Sequence, residues 1–228
     1  MIHENIFIID SQKYLYENNQ VRFKLDRYYT IKHAEITFIA IPNSDYIIDE
    51  YNNKLSFEYD NIKYTIKIDV GNYSIEEYID ELQEKINELC SKYNLDINFN
   101  IKFDYVTDKL TINADKDFKL IIDNDEISKL TGFIKKEYDF SNTFTANNKI
   151  NFTLTHFYKI KINEFKNTIF IPNDCAINEI LVHNKSEKLY PQSINQKINE
   201  INITIYNDKN KIVNFRGLNY TILLKILE

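Results

Sequence analysis

The apolar residues of this chain change their spacing twice, and this change constrains the fold more than any single motif does. Residues 20–27, near the N-terminus, and residues 218–226, near the C-terminus, alternate between apolar and polar side chains. A period of two is typical of strands that bury one face. Between residues 43 and 149 the spacing differs and includes a helical period. We therefore expect one β domain whose sequence is interrupted by a second module.

The segments outside the interruption predict eight strands, three before it and five after it. Aromatic residues favour strands, and the chain has 17 Tyr and 15 Phe against three Gly. The fold class that we predict is mainly β: a single eight-stranded jelly-roll β-sandwich with a small inserted α+β domain of two hairpins and one helix. The predicted strands are residues 5–9, 20–27, 34–41, 150–162 (one long strand or a bent pair), 168–171, 177–183, 201–205 and 218–226.

The interruption itself predicts the α+β domain. Residues 55–68 form a hairpin pattern around Asp60-Asn61, a pair that suits a tight turn. Ser74 and Glu77 have the spacing of a capping box, with Ser74 as the N-cap, and a stripe of apolar residues at helical spacing follows them. Further expectations are a second hairpin around residues 107–109, a strand over 118–122, a helical turn over 125–130 and a polar return linker over 134–149.

Pro42, Asn43 and Ser44 lie where the first apolar pattern stops. Pro42 removes a ladder donor and disfavours a helix for the residue before it, while Asn43 and Ser44 are turn formers. We predict that these three residues form the domain junction and set the exit angle of the inserted module. Insertions are tolerated at loop tips because the flanking strands keep their pairing. The predicted domains are residues 1–42 with 145–228, the discontinuous jelly roll, and residues 43–144, the inserted domain with its return linker.

Charge and composition argue against several classes of partner. The net charge of −6 argues against a general nucleic-acid binder, whose footprint is a basic patch. No run approaches the roughly twenty apolar residues of a membrane span. The first residues lack the basic region of a secretory signal, and two cysteines favour a reducing compartment over a disulfide framework. We therefore expect no specific nucleic acid, no membrane span and no signal peptide.

Residues that could carry catalysis or hold a metal are few. Cys175 and His183 are eight residues apart, but both flank a predicted strand and no orienting Asn or Asp stands out. We predict a buried thiol and an unrelated histidine. The four histidines, His3, His33, His156 and His183, lack the spacing of metal ligands, and three scattered glycines cannot build a phosphate loop. The sequence predicts no enzyme, no cofactor and no metal site.

Three patterns remain open to more than one interpretation. Residues 123–126, Asp-Asn-Asp-Glu, resemble a calcium loop but lack its glycine and late glutamate, so we predict a turn followed by an N-cap aspartate. Paired carboxylates of a glycoside hydrolase are defined by their separation in space, which the sequence does not give. The tyrosines at positions 28, 29, 46, 51 and 138 predict either half-buried sheet edges or a surface that binds sugar or protein.

The order of short motifs resembles one known family. The chain contains IPNS-x-Y at 41–46, I-x-x-GNYSIEE at 68–77, FDYVTDKLTI at 103–112 and LTGF at 130–133. The C-terminal part contains INEINITI, NDKN and FRGLNYTI, from residue 198 to residue 222. This order resembles the penton, or minor capsid, proteins of virophages and polinton-like viruses over nearly the whole chain. Tyr220 stands where that family usually has Trp, and Asn210 where it usually has Gly.

The resemblance implies a structural virion protein that is not an enzyme. It implies a single jelly roll that forms homopentamers at the five-fold vertices of an icosahedral capsid, with the inserted domain projecting outward and contacting the host. The implied partners are further copies of the chain, the major capsid protein and a host-surface receptor. The implied location is the virion, assembled inside the infected host cell. The alternatives are a receptor- or glycan-binding virion or tail-type module without a vertex role, and a glycan-active enzyme on a jelly roll.

Overall fold

The structure is a computed structural model that describes residues 4–14, 19–153 and 155–228. The chain forms two compact units, the first made of Met1–Asp45 and Thr155–Glu228 and the second of Tyr46–Leu154. The domain boundaries predicted from the sequence lie after residues 42 and 144, whereas the compact units divide after residues 45 and 154.

The described residues contain fourteen strands and three helices. The strands are β1 Glu4–Asp10, β2 Val21–Thr30, β3 His33–Pro42, β4 Lys54–Tyr59, β5 Ile62–Lys67, β6 Phe99–Asp104, β7 Lys109–Ile121, β8 Ser141–Thr145, β9 Phe157–Ile162, β10 Ile169–Pro172, β11 Ile180–His183, β12 Glu187–Leu189, β13 Lys197–Tyr206 and β14 Thr221–Leu227. The helices are α1 Ser11–Tyr14, α2 Ile75–Tyr93 and α3 Asp125–Thr131.

The first unit is a jelly roll by its strand order. One sheet has the order β1-β14-β3-β11, with β12 also paired to β3, and the other has the order β10-β9-β13-β2. All these pairings are antiparallel. When β11 and β12 are counted as one interrupted strand, the two sheets read 1-8-3-6 and 5-4-7-2, which is the double Greek key of a jelly roll. The predicted eight-stranded jelly-roll sandwich is confirmed.

The core of this unit follows from the alternation in its strands. In β2 the side chains of Val21, Phe23 and Leu25 are buried, whereas Arg22 and Lys24 are exposed. Equivalent residues from both sheets form a single hydrophobic cluster, as expected when two sheets pack face to face. The burial of each such side chain contributes about 1.5–3 kcal/mol to folding. The alternation therefore determines which face of each strand meets the other sheet.

The second unit is a sheet covered by a helix. Its strand order is β5-β4-β7-β6, with β8 paired to β7. Asp60 and Asn61 join β4 to β5 with φ angles of 51° and 61°, the left-handed values that a type I′ hairpin turn requires. Helix α2 buries Tyr78, Leu82 and Ile86 in a core separate from that of the first unit. The two predicted hairpins and the predicted helix are present.

Three expectations for this part of the chain were wrong. The predicted linker over 134–149 contains β8, which buries Phe144 and pairs with β7, because one apolar residue among polar ones suffices at the border of a sheet. The predicted separate strand over 118–122 is the second half of the long β7. Residues 151–153, predicted as part of a strand, have no regular structure, and Leu154 lies outside the described residues.

Two glycines with left-handed backbones, Gly132 and Gly217, allow a matched test of how closely the chain packs around Gly132. Gly132 caps α3 with a φ of 78°, and a Cβ atom there would lie 2.2 Å from the carbonyl oxygen of Asn148. Gly217 has a φ of 81°, with no atom within 4 Å of such a Cβ. We expect Gly217→Ala to lower the free energy of unfolding by about 1 kcal/mol, the cost of a left-handed alanine. We expect Gly132→Ala to lower it by at least about 3 kcal/mol, because the backbone must also shift.

Denaturant unfolding of both variants and of the unmodified chain measures this difference. Equal losses at the two positions would contradict the close packing of Gly132 against residue 148.

Candidate assembly surface and domain junction

Pro42 and Asn43, two of the three predicted junction residues, belong to the first unit, which ends its N-terminal segment at Asp45. Pro42 is the last residue of β3 and lies opposite Ile180 of β11. Asn43 is fully buried, and its backbone N–H donates to the carbonyl oxygen of Glu179 at 2.8 Å. The Asn43 side-chain amide donates to the carbonyl oxygens of Cys175 and Ala176 at 3.0 and 3.1 Å. Its Oδ1 accepts from the Tyr158 hydroxyl at 3.1 Å. This buried amide therefore binds the end of β3 to the loop before β11.

Ser44 and Asp45 continue this network inside the first unit. The Ser44 hydroxyl donates to the carbonyl oxygen of Asn214 at 3.2 Å, and the Ser44 carbonyl oxygen accepts from Nε of Arg216 at 3.3 Å. The Asp45 carboxylate accepts a hydrogen bond from the Thr155 hydroxyl. These bonds hold the chain on both sides of the point where it leaves and re-enters the first unit. That Pro42, Asn43 and Ser44 set the direction of the second unit stays a prediction.

Asp45 is the titratable group most affected by this environment. Burial raises the pKa of Asp45 above its ordinary value of 3.8, and the hydrogen bond from Thr155 opposes that rise only in part. Lys209 and Arg216 also lower the pKa of Asp45, whereas the nearby carboxylate of Asp208 raises it. The junction therefore contains a carboxylate that the folded chain holds less easily in its charged form than the unfolded chain does.

Ser74 and Glu77 form the cap of α2. The Ser74 Oγ accepts from the backbone N–H of Glu77 at 3.2 Å, and Glu77 Oε2 accepts from the backbone N–H of Ser74 at 2.8 Å. Both halves of the capping box are present, so two N–H groups at the start of the helix have partners. These two residues stabilise the inserted unit and contact no catalytic or metal-binding group among the described residues.

Among the described residues, no histidine forms a hydrogen bond with the candidate nucleophile Cys175. His183 Nε2 lies 3.1 Å from Glu187 Oε1, and the Cys175 sulfur lies 4.0 Å from Asp174 Oδ1. Burial raises the pKa of the Cys175 thiol, and the charges of Asp174 and Glu179 act in the same direction. A thiol with a raised pKa is a poor nucleophile at neutral pH. The structure does not bring Cys175 and His183 together as a catalytic pair.

The calcium-like residues form a helix start. Asn124, and not the predicted aspartate, is the N-cap of α3, and its side chain accepts from the backbone N–H groups of Glu126 and Ile127. Asp123 pairs with Lys63 at 3.2 Å.

Within residues 4–14, 19–153 and 155–228 no group of three or more His, Cys, Asp or Glu could hold a metal ion. His3 lies outside the described residues. None of the described helices has the length and apolar character of a membrane span.

The five candidate surface tyrosines differ in exposure and are divided between the two units. Tyr29 is 3% exposed and its hydroxyl donates to Asp26 at 2.7 Å, so it does not belong to a binding surface. Tyr138 packs against the rings of Phe133 and Phe144 in the second unit, and Tyr46 is half-buried. Tyr28 and Tyr51 are exposed, and they belong to different units.

The first sheet of the jelly roll has an apolar outer face, which the sequence did not predict. The outer strands β1 and β11 each expose two branched apolar residues, between 57% and 67% accessible. The inner strands β14 and β3 each add one half-buried apolar residue in the same row, since Ile8 lies opposite Leu223 and Leu223 lies opposite Phe38. We call this set the apolar face: Ile6, Ile8, Phe38, Ile180, Val182 and Leu223.

Charges at one border of this face are mainly acidic. Glu4 pairs with Lys225 at 2.8 Å, and Glu35 lies opposite Lys225 in the neighbouring strand. Two carboxylates thus surround one ammonium group. An exposed row of branched apolar residues is unusual for a monomer and makes this face a candidate contact surface.

The outer face of the second sheet is different in kind. Arg22 and Lys24 of β2 and Lys159 and Lys161 of β9 point away from the core. Arg22 pairs with Glu200 at 3.5 Å, whereas Lys24 and Lys161 have no carboxylate partner among the described residues. The rings of Phe157 and Phe170 lie 5.8 Å apart at the other border of this sheet, and Lys159 lies over the Phe157 ring. We call this set the basic face: Arg22, Lys24, Phe157, Lys159, Lys161 and Phe170.

A sequence signal for the apolar face exists in hindsight. Residues 6–9 are Ile-Phe-Ile-Ile and residues 180–182 are Ile-Leu-Val, so these strands are apolar on both of their faces. A strand buried on one side only requires apolar residues at alternate positions. The surplus apolar residues therefore predict an apolar outer face on these strands.

Comparison with known proteins gives distant similarities. No family model matches the sequence. The uncharacterized protein L356 of Acanthamoeba polyphaga mimivirus is 25% identical over 175 residues, which cover 67% of this chain. The chain spans 26% of that protein's length. The crystal structure of the mavirus penton protein is similar with a TM-score of 0.47 and 12% identity, covering 100% of this chain and 99% of that chain. Membership of the penton family, which the motifs suggest, stays a prediction.

Replacement of Asn43 tests the buried junction. Asn43→Ala removes the hydrogen bonds of its amide to the carbonyl oxygens of Cys175 and Ala176 and from the Tyr158 hydroxyl, so we expect the free energy of unfolding to fall by about 3 kcal/mol. Ser44→Ala, at the next residue, removes one longer hydrogen bond and should cost about 1 kcal/mol. Denaturant unfolding of the two variants checks the order. A smaller loss for Asn43→Ala than for Ser44→Ala would contradict the network.

The raised pKa of Asp45 predicts a pH dependence. The folded chain binds the Asp45 proton more tightly than the unfolded chain, so the carboxyl group lowers stability as the pH rises from about 3.8 through its folded pKa. We expect Asp45→Asn to be more stable than the unmodified chain at pH 7, since the amide can still accept the Thr155 hydrogen bond. The difference should vanish below pH 3.8, where both states of the unmodified chain are protonated. A difference that does not depend on pH would contradict this assignment.

Proposed function

We propose that this chain is a structural virion protein, a penton or minor capsid subunit that forms homopentamers at the five-fold vertices of an icosahedral capsid. The single observation that carries the proposal is the pair of unlike outer faces on one jelly roll. The apolar face with its acidic border belongs to one sheet, and the basic face belongs to the other. The order of sequence motifs, which resembles penton proteins, supports the same conclusion.

Two unlike faces favour a ring over a two-fold dimer. When the apolar face of one copy contacts the basic face of the next, the contact is heterologous, and it closes into a ring if the rotation per copy divides a full turn. Aromatic rings and the stems of Lys24 and Lys161 can cover branched apolar side chains while their charged ends reach Glu4 and Glu35. A two-fold contact through the basic face would instead place like charges against each other, and one through the apolar face would leave the basic face uncovered.

The inserted unit has the role of an outward contact in this proposal. It projects from the vertex and contacts a host-surface receptor, while the jelly roll contacts the major capsid protein. The support is local: Tyr105 and Val106, at the turn between β6 and β7, are 65% and 90% exposed. The chain would reside in the virion after assembly inside the infected cell. The proposal includes no enzymatic activity and no cofactor.

The oligomeric state of purified full-length variants tests the proposal. We expect the unmodified chain to form a pentamer in light scattering coupled to size exclusion. Ile8→Lys places a cation on the apolar face opposite the basic face, and should raise the dissociation constant at least about tenfold. Ile8→Glu introduces a charge that the basic face can accept, so it should disrupt the pentamer less. Ile194→Lys is the matched control, because Ile194 is 92% exposed and lies outside both faces.

A stable monomer or trimer at high protein concentration would contradict the penton role. Equal effects of Ile8→Lys and Ile194→Lys would contradict the assignment of the apolar face.

The second candidate function, a receptor- or glycan-binding virion or tail-type module without a vertex role, is favoured by the exposed aromatic residues of the second unit. A monomeric chain that binds a glycan array would establish that function in place of the penton role.

A further inference from the structure

Strand β5 of the second unit is an open sheet edge. In the described part of the chain β5 pairs with β4 alone and stands at the end of the order β5-β4-β7-β6. An open edge offers backbone N–H and C=O groups to another strand. The direction of those groups depends on which residues of β5 are hydrogen-bonded to β4.

The two-residue turn determines which residues of β5 form these hydrogen bonds. Tyr59 and Ile62 flank the two-residue type I′ turn and lie opposite each other, so both of their backbone groups point at the partner strand. The same alternation of hydrogen-bonded pairs is present at the far end of the hairpin, where the Ile68 N–H donates to the Asn53 carbonyl oxygen at 2.9 Å. Every second residue of β5 thus bonds β4.

The remaining residues of β5, Lys63, Thr65 and Lys67, direct their N–H and C=O groups away from β4. They present a ladder that spans five residues of an extended chain. Their side chains lie on one face of the sheet, where Lys63 meets Asp123 and Thr65 meets Ser56. The side chains of Tyr64 and Ile66 lie on the other face and contact the hydrophobic core that includes α2.

A groove of about 750 Å³ runs between this edge and helix α2. Tyr64 and Leu89 are half-buried in it, and Tyr93 is 52% exposed. The rings of Tyr64 and Tyr93 lie 5.5 Å apart. A strand added beside β5 would place alternate side chains over these apolar residues and the others on the side of Lys63 and Lys67.

The charges around the groove are mostly basic. Four lysines and one glutamate line it. Lys63 pairs with Asp123 at 3.2 Å, and Lys85 pairs with Glu88 at 3.1 Å. Lys67 and Lys92 have no carboxylate partner among the described residues, and Lys92 lies over the Tyr93 ring. The unpaired cations favour an acidic ligand.

We propose that β5 and this groove bind an extended segment of another protein, which adds to the sheet as a strand and alternates apolar with acidic residues. Strand addition to a sheet edge beside a groove is a recurring mode of peptide recognition, in which main-chain bonds give affinity and alternate side chains give specificity. The inference concerns the second unit and holds whether or not the chain forms a pentamer.

Two other uses of this edge fit the observations less well. Pairing with β5 of a second copy would bring the lysines of the two edges together on one face, and like charges across a strand pair are destabilising. Lysines on an edge can also serve only to prevent pairing. That role requires no apolar groove beside the edge, whereas this groove exposes half of Tyr93.

The test uses the full-length chain and a fluorescent, end-blocked octapeptide of alternating valine and glutamate. We expect a saturable rise in anisotropy, and slower hydrogen exchange in residues 62–67 when the peptide is bound. Thr65→Pro should weaken binding about tenfold or more, since it removes an outward donor while the bonds to β4 remain. Thr65→Val keeps the donor and loses the hydroxyl, so it should bind the peptide as the unmodified chain does. Lys67→Glu should weaken binding without removing a backbone donor.

Several results would overturn the proposal. One is the absence of an anisotropy change up to about 1 mM peptide, which would mean that the dissociation constant exceeds about 1 mM. Another is equal binding of a valine–lysine octapeptide, which would remove the role of charge. Equal binding by Thr65→Pro and Thr65→Val would remove the role of the backbone. Protection of residues 62–67 that increases with protein concentration in the absence of peptide would show that a second copy occupies the edge.

Discussion

The pairing of β14 between β1 and β3 is the contact on which the rest of the structure depends. The register runs from Glu4 opposite Leu227 to Asp10 opposite Thr221, so the two ends of the chain form one ladder. The first sheet can therefore form only when the segments on both sides of the interruption meet. The entropy cost of closing a loop rises only with the logarithm of its length, so a long interruption is tolerated. The interrupting unit also has a hydrophobic core of its own, so it is not a disordered loop that must be closed.

Helix α2 and most strands of the two units could be predicted because their signals are local, whereas β8 was taken for a linker. Alternation predicts which residues of β2 are buried, and the spacing of Ser74 and Glu77 predicts the start of α2. The role of Asn43 could be predicted only in part. A turn former was expected there, but its bonds to Cys175 and Tyr158 join residues more than one hundred positions apart. No local pattern contains that information.

The candidate site was hidden for a different reason. A continuous apolar run such as residues 6–9 does not reveal which side chains face the core, because the choice depends on the register with β14. Ile9 is buried in the core, so Ile8 points outward, and Ile6 is exposed on the same outer face. The edge at β5 is likewise a property of strand order and not of its own sequence. Alternation predicted the strand β5, and the topology made it an edge.

The two outer faces of the jelly roll connect this fold to assembly. A chain that exposes branched apolar residues on one sheet and lysines on the other has a direction, and identical copies can then follow one another in a ring. The strands that carry both faces belong to the first unit. In the proposed ring the self-assembly surfaces therefore lie on the first unit, and the proposed contact with other partners lies on the second.

The most direct test of this account is a disulfide cross-link between the two faces. The double variant Ile8→Cys/Lys24→Cys, with Cys175 replaced by serine, would be oxidised and its covalent products separated under denaturing conditions. A head-to-tail ring predicts a ladder of covalent oligomers that ends at five, and it predicts no product for either single variant. Dimers from the Ile8→Cys single variant, or a double variant that stays monomeric, would contradict the account.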